Sequence, residues 1–259
     1  MDPGERFAVL IAGADAELPL DEAALLIAAH VRPGLDVGAE LVRIDRLAAG
    51  VGAPTLDGLR RYLFADLGFA GNRTDYYDPD NSCLDQVVRR RIGIPITLSL
   101  LMLEVGRRLG VPLSGVSMPG HFLVRDKVDP EVFVDPFARG ALLDAHACEA
   151  RFRQIHGPDA VFDPAFLDPV PRRAIVARIL ANLDTVAIAR ADRQMLQWVA
   201  RLRASLPEAT AEHQRRLAAT LASSYRFDEA AEVLERLAAA EHGDDDDAAA
   251  ARRLRARLN

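Results

Sequence analysis

The sequence predicts a helix-rich α+β protein in which one small antiparallel sheet lies between two helical regions. Three observations carry this. Apolar residues recur at helical spacing through the first third and again from about residue 173 to the end. Two short β-like runs, His121-Phe-Leu-Val-Arg125 and Val132-Phe-Val-Asp135, interrupt the pattern. A proline-punctuated stretch, Asp163-Pro164 through Asp168-Pro169-Val-Pro171, separates the mixed part from the purely helical part, which predicts domains at 1–170 and 171–259.

A first helix is predicted from an Asp21 cap through His30, where Pro33-Gly34 stops it. Gly38–Ala49 and Thr55–Leu67 follow as helices, with Leu41, Ile44 and Leu47, then Leu56, Leu59, Leu63 and Leu67, each on one face. Residues 71–81 are rich in turn formers and predict a long ordered loop that carries Tyr76 and Tyr77. Ser82 with Asp85 three residues on is a capping-box pattern for a helix through Arg90. Another helix is predicted from Pro95 to Leu109, apolar on most faces and therefore buried, with proline at the first position, where no N–H is needed. If the turn Asp126–Pro130 is about five residues long, antiparallel pairing sets His121 opposite Asp135 and Leu123 opposite Phe133. The remainder predicts helices at 173–189, 193–205, 211–224 and 228–240, and a last one from the Asp244–Asp247 run into the arginines at 252–257. The first four make two helical hairpins, with a spacing similar to the tetratricopeptide unit of about 34 residues.

Composition narrows the function. The chain has 259 residues, half of them hydrophobic, so it can bury a large core, and its net charge of −6 gives no general attraction to nucleic acid or anionic lipid. Two cysteines, Cys83 and Cys148, are too few for a disulfide framework and lack zinc-ligand spacing. With no leader-like or membrane-spanning pattern, a cytoplasmic protein is expected. The acidic run Asp75, Asp78, Asp80 fails as a calcium loop: counted from Asp78, position six is Cys83 rather than glycine and position twelve is Arg89 rather than glutamate. No metal and no cofactor are expected. Arg89-Arg-Arg91 is capable of holding a phosphate or carboxylate, but three arginines at a helix end more often form a solvated face.

Four segments then act together: Tyr76-Tyr-Asp-Pro-Asp-Asn-Ser82, Arg91-Ile-Gly-Ile-Pro-Ile-Thr-Leu-Ser99, Pro119-Gly-His-Phe-Leu-Val124 and Val134-Asp-Pro136. They resemble the bacterial SirB-type family, a transglutaminase-like (papain-like) domain joined to tetratricopeptide-like repeats. The resemblance covers nearly the whole chain. It implies a histidine at His121 and an aspartate at Asp135. An active enzyme of this kind also needs a thiolate at a helix N-terminus. Counting back from Arg107-Arg-Leu-Gly-Val-Pro112 places that cysteine position at Pro95, which has no nucleophile.

Two readings follow. One is a non-catalytic protein-binding or regulatory module whose groove is formed by His121, Asp135 and Tyr76, Tyr77, Asp78, Asn81, Pro95, Thr97 and Ser99, and which binds a protein or peptide rather than nucleic acid or membrane. The other is an amide-processing hydrolase or acyltransferase with a displaced nucleophile. For that role Thr97 and Ser99 lie in the first turns of the helix, and Cys83, just after the Ser82 cap, would have its pKa lowered by a helix N-terminus.

Overall fold

The computed structural model describes residues 2–240 and 244–257. Its described residues form twelve α-helices and six short strands. One helix organises them. In α6 (Pro95–Leu109), every residue from Pro95 to Gly106 is buried, and Gly110 ends the helix in a left-handed conformation at φ 72°. A helix that is apolar on most faces must be covered on all of them. Cover comes from α2 (Leu20–Val31), α3 (Val37–Ala49), α4 (Leu56–Arg60), α5 (Leu84–Arg90) and α8 (Arg172–Ala189), and on one side from a sheet. A further helix, α1 (Pro3–Ile11), packs on α2 and has no counterpart among the expected elements.

Several boundaries differ from expectation for local reasons. Asp21 does not cap α2, which begins after Pro19. It is buried inside the first turn, where Arg108 holds its carboxylate at 2.5 Å. Thr55 does cap α4, but the helix widens into a π-helical stretch at 61–66 before it ends. Ser82 closes a short 3-10 turn instead of capping α5. Cys83 takes the N-cap position with no side-chain cap, and Asp85 turns to Arg32 at 3.3 Å.

The sheet has order β3-β4-β5-β6: Leu113–Val116, Leu123–Asp126, Phe133–Asp135 and Ala141–Leu143, antiparallel throughout. Val124 pairs with Val134 and Arg125 with Phe133, so the register lies two residues from the expected one, and the Asp126 N–H closes the turn on the Val132 carbonyl at 3.0 Å. A shift of two keeps every side chain on its face, whereas a shift of one would have inverted them all. Val124 and Val134 join the main core with α6, while Leu123 and Phe133 pack with Cys148 and Phe152 of α7 (Ala145–His156) on the other side. A second, two-stranded parallel pair, β1 (Ala70–Gly71) with β2 (Ile92–Gly93), anchors the tyrosine-bearing loop.

The hairpins fall close to where periodicity puts them: α8, α9 (Arg193–Ala204), α10 (Ala211–Ser223) and α11 (Phe227–Ala238), then α12 (Asp245–Arg255). Side chains of α8 and α9, including Ile175, Leu180, Leu183 and Val199, belong to the same core as α6, so apolar packing runs on past Pro171. A separate cluster fills the space between α9 and α12. No helix among the described residues is long and apolar enough to cross a membrane.

The buried charge on α6 is Glu104, which is fully enclosed. Arg172 of α8 meets one carboxylate oxygen, and Arg107 (2.7 Å) and Arg108 (3.4 Å) meet the other. Arg108 also reaches Asp21 of α2 and, at 2.7 Å, Asp45 of α3, so a single network ties four helices together. Removing the central partner of a buried ion network leaves its neighbours uncompensated. Glu104→Ala is therefore expected to lower the unfolding free energy by about 3 kcal/mol, read as a reduced urea midpoint with an unchanged slope.

Candidate functional site

The loop before α5 is fastened to the start of α6 by one buried asparagine. The Asn81 amide donates to the carbonyls of Asp75 (2.7 Å) and Tyr76 (3.2 Å), and its side-chain oxygen accepts from Asn72 (3.0 Å). Its backbone carbonyl accepts the Thr97 hydroxyl at 2.7 Å, and the same hydroxyl accepts the Ile94 N–H at 3.2 Å. Thr97 is thus a cap and a clamp at once. Asp78 caps the 3-10 turn that follows by accepting from the Asp80 N–H. Pro95 opens α6, buried.

His121 lies just ahead of β4, with its N–H bonded to the Met118 carbonyl at 3.0 Å. Asp135 ends β5 and is fully enclosed. Although His121 is not opposite Asp135 in the ladder, the two share a sheet face, and the histidine Nε2 stands 3.0 Å from the Asp135 Oδ2. Neither atom has a partner in good hydrogen-bond alignment, so the contact is one of charge and proximity more than of a linear bond. The other Asp135 oxygen accepts the Ala138 N–H at 3.1 Å, and Arg151 of α7 approaches Oδ2 at 3.6 Å. Burial acts to raise the Asp135 pKa. The His121 contact, the Ala138 N–H and Arg151 together outweigh it, and the carboxyl titrates below its ordinary value.

The candidate nucleophiles are placed otherwise than the displaced-nucleophile reading needs. Cys83 is fully buried, and burial pushes its thiol up to about 11 against the opposing pull of the Arg32 guanidinium. The lowering expected from a helix N-terminus is overridden because desolvation of a thiolate outweighs a partial dipole charge. Cys148 is buried behind the sheet, and burial pushes its thiol up to about 12. The Ser99 hydroxyl is enclosed within α6 and points to the Phe122 carbonyl at 3.5 Å.

Two site residues escaped the sequence reading. Phe137, two residues after Asp135, sets its ring edge-on to His121 at 6.1 Å between centroids and to Tyr76 at 6.2 Å. Tyr76 in turn meets Tyr77 at 5.5 Å, and the two are 42% and 57% exposed, so an aromatic run leads from the surface to the imidazole. Gly71 lets this happen, since a Cβ there would overlap the Phe137 ring. Arg151 is the second omission, and nothing in its local sequence marks it. Among the described residues no group of three metal-ligating side chains comes together.

A family model described as the transglutaminase-like superfamily matches residues 29–181, more than half the chain and the whole of this site. The chain belongs to the transglutaminase-like superfamily. Among similar proteins, a UPF0162 protein of Xylella fastidiosa (strain Temecula1) is 44% identical over 185 residues, which cover 66% of this chain and 66% of that protein. A UPF0162 protein of Pseudomonas aeruginosa is 33% identical over 192 residues, 71% of this chain and 69% of the relative. Protein SirB1 of Salmonella typhimurium is 26% identical over 132 residues, 50% and 49% of the two chains. No solved structure matches.

A depressed carboxyl pKa fixes the sign of a pH effect: the stabilisation is complete above the ordinary carboxylate value, about 3.9, and is lost as pH falls through the lower folded value. Asp135→Asn is expected to flatten the acid limb of the stability curve below about pH 4, measured as urea midpoints across pH 2.5 to 7. A limb as steep as that of the unaltered chain would show that Asp135 contributes nothing to it.

Proposed function

We propose that this chain is a non-catalytic, SirB-type member of the superfamily that acts as a protein-binding or regulatory module in the cytoplasm. Its division is 1–170 for the transglutaminase-like part and 171–259 for tetratricopeptide-like hairpins, with α8 as the seam that both share. The observation that carries the reading is the occupancy of every candidate attacking group. Pro95 opens α6 at about the position that the sequence resemblance gives to the nucleophile, Thr97 is spent on Asn81 and Ile94, Ser99 is enclosed at a carbonyl, and Cys83 is buried with a raised pKa. The His121–Asp135 pair is buried, and the Phe137 ring meets both the imidazole and Tyr76 of the exposed tyrosine pair. Exposed tyrosines backed by a rigid framework suit protein recognition, because they give large contact area at small entropy cost.

The partner is expected to engage Tyr76 and Tyr77. Tyr76→Ala/Tyr77→Ala should keep the far-ultraviolet spectrum and melting behaviour of the unaltered chain and lose the proteins that it retains from an extract of its source cells. Truncating two interface aromatics is expected to weaken binding by about 30-fold or more. An unchanged retained set would contradict this surface assignment.

A further inference from the structure

A cleft of about 630 Å³ opens between the turn at 68–74, the end of α5 with β2, and the loop 137–139. Of its twelve lining residues four are arginine, Arg73, Arg90, Arg91 and Arg139, and none is aspartate or glutamate. In a chain of net charge −6 such a concentration is local, and it is not explained by ion pairing within the fold. Arg90 is compensated by Asp78 at 2.8 Å and Asp80 at 3.5 Å. Arg91 donates to the Leu67 carbonyl at 2.9 Å, which leaves its charge unbalanced. Arg73 lies 5.8 Å from the Phe137 ring centroid. Among the described residues, no ion pair to a carboxylate is made by Arg73, Arg91 or Arg139.

The walls are stiff. Backbone pairing of β1 with β2 fixes the floor, through Ala70 N–H to the Arg91 carbonyl (3.0 Å) and Asn72 N–H to the Gly93 carbonyl (2.8 Å). Buried Asn72 accepts from the Thr74 and Asp75 N–H groups and from the Thr74 hydroxyl, which holds the Arg73 turn in shape. Phe137 and half-exposed Ile92 supply an apolar side.

We propose that this cleft is a binding site for a phosphate-bearing small molecule. Three uncompensated guanidinium groups brought from three separate segments suit an anion with several oxygens and more than one charge, whereas a lone carboxylate fills a single guanidinium fork. The volume lies within the few hundred to about 1,000 Å³ usual for small-ligand sites, and the apolar wall would take the organic portion. The assignment does not rest on whether His121 and Asp135 are catalytic. Phe137 forms a wall of both places, so occupancy of the cleft bears directly on the ring that faces His121.

The test is titration calorimetry of the full chain with inorganic pyrophosphate at low salt, with citrate as the polycarboxylate probe. The unaltered chain is expected to bind pyrophosphate saturably and more tightly than citrate. Arg73→Gln/Arg139→Asn should weaken pyrophosphate binding by about tenfold or more, the effect of losing charge-assisted hydrogen bonds. Asparagine suits position 139 because φ there is 56°, a left-handed conformation that it tolerates well. Arg46→Gln, an exposed arginine on α3 away from the cleft, should bind as the unaltered chain does. Should the double variant fail to fold, Arg73→Gln alone, at an exposed turn residue, is expected to weaken binding several-fold. Absence of saturable binding, arginine variants that bind as tightly as the unaltered chain, or citrate bound as tightly as pyrophosphate would each overturn the proposal.

Discussion

Almost everything in this fold follows from α6 having no solvent-facing side along most of its length. A helix so enclosed gains its stability from apolar burial, about 25 cal/mol for each Å² removed from water, but it must also find partners for every polar group it carries inward. Thr97, Ser99 and Glu104 are those groups, all fully buried. Each has a partner on another element: the Asn81 carbonyl before α5, the Phe122 carbonyl before β4, and Arg172 of α8. Satisfying the helix therefore positions the loop, the sheet and the first of the C-terminal helices.

The same constraint shapes the chemistry open to the site. The Thr97 and Ser99 hydroxyls of α6 are turned to the Asn81 and Phe122 carbonyls, and Pro95, where the sequence resemblance puts a nucleophile, begins the helix. His121 and Asp135 stand 3.0 Å apart because the sheet face on which they meet is fixed by packing against α7. On the proposed reading, the structural demands of the scaffold have preserved a catalytic-looking pair in a protein that works by binding.

Much of this was legible beforehand, for identifiable reasons. Longer helices, such as α6 and α8 to α11, stood close to their expected limits. The meeting of His121 and Asp135 survived an error of two residues in register, because strand periodicity is two and parity alone decides the face. What escaped depended on contacts far along the chain. Asp21 reads as a cap until Arg108, 87 residues away, claims it. Cys83 reads as an activated thiol until burial raises its pKa over the opposing pull of Arg32. Phe137 joins the site only because Gly71 on β1 leaves room for its ring. The short β3 and β6, and α7 behind them, carry too few residues of any one period to be recognised without the sheet they complete.

The central claim is that no attacking atom stands ready beside the imidazole, and intact-mass spectrometry of the folded chain tests it most directly. The unaltered chain and His121→Ala would be exposed side by side at neutral pH to iodoacetamide, a fluorophosphonate and an activated acyl ester. The account predicts no stoichiometric adduct whose formation depends on the histidine. An adduct on Cys83, Thr97 or Ser99 that forms rapidly in the unaltered chain and disappears in the variant would contradict it.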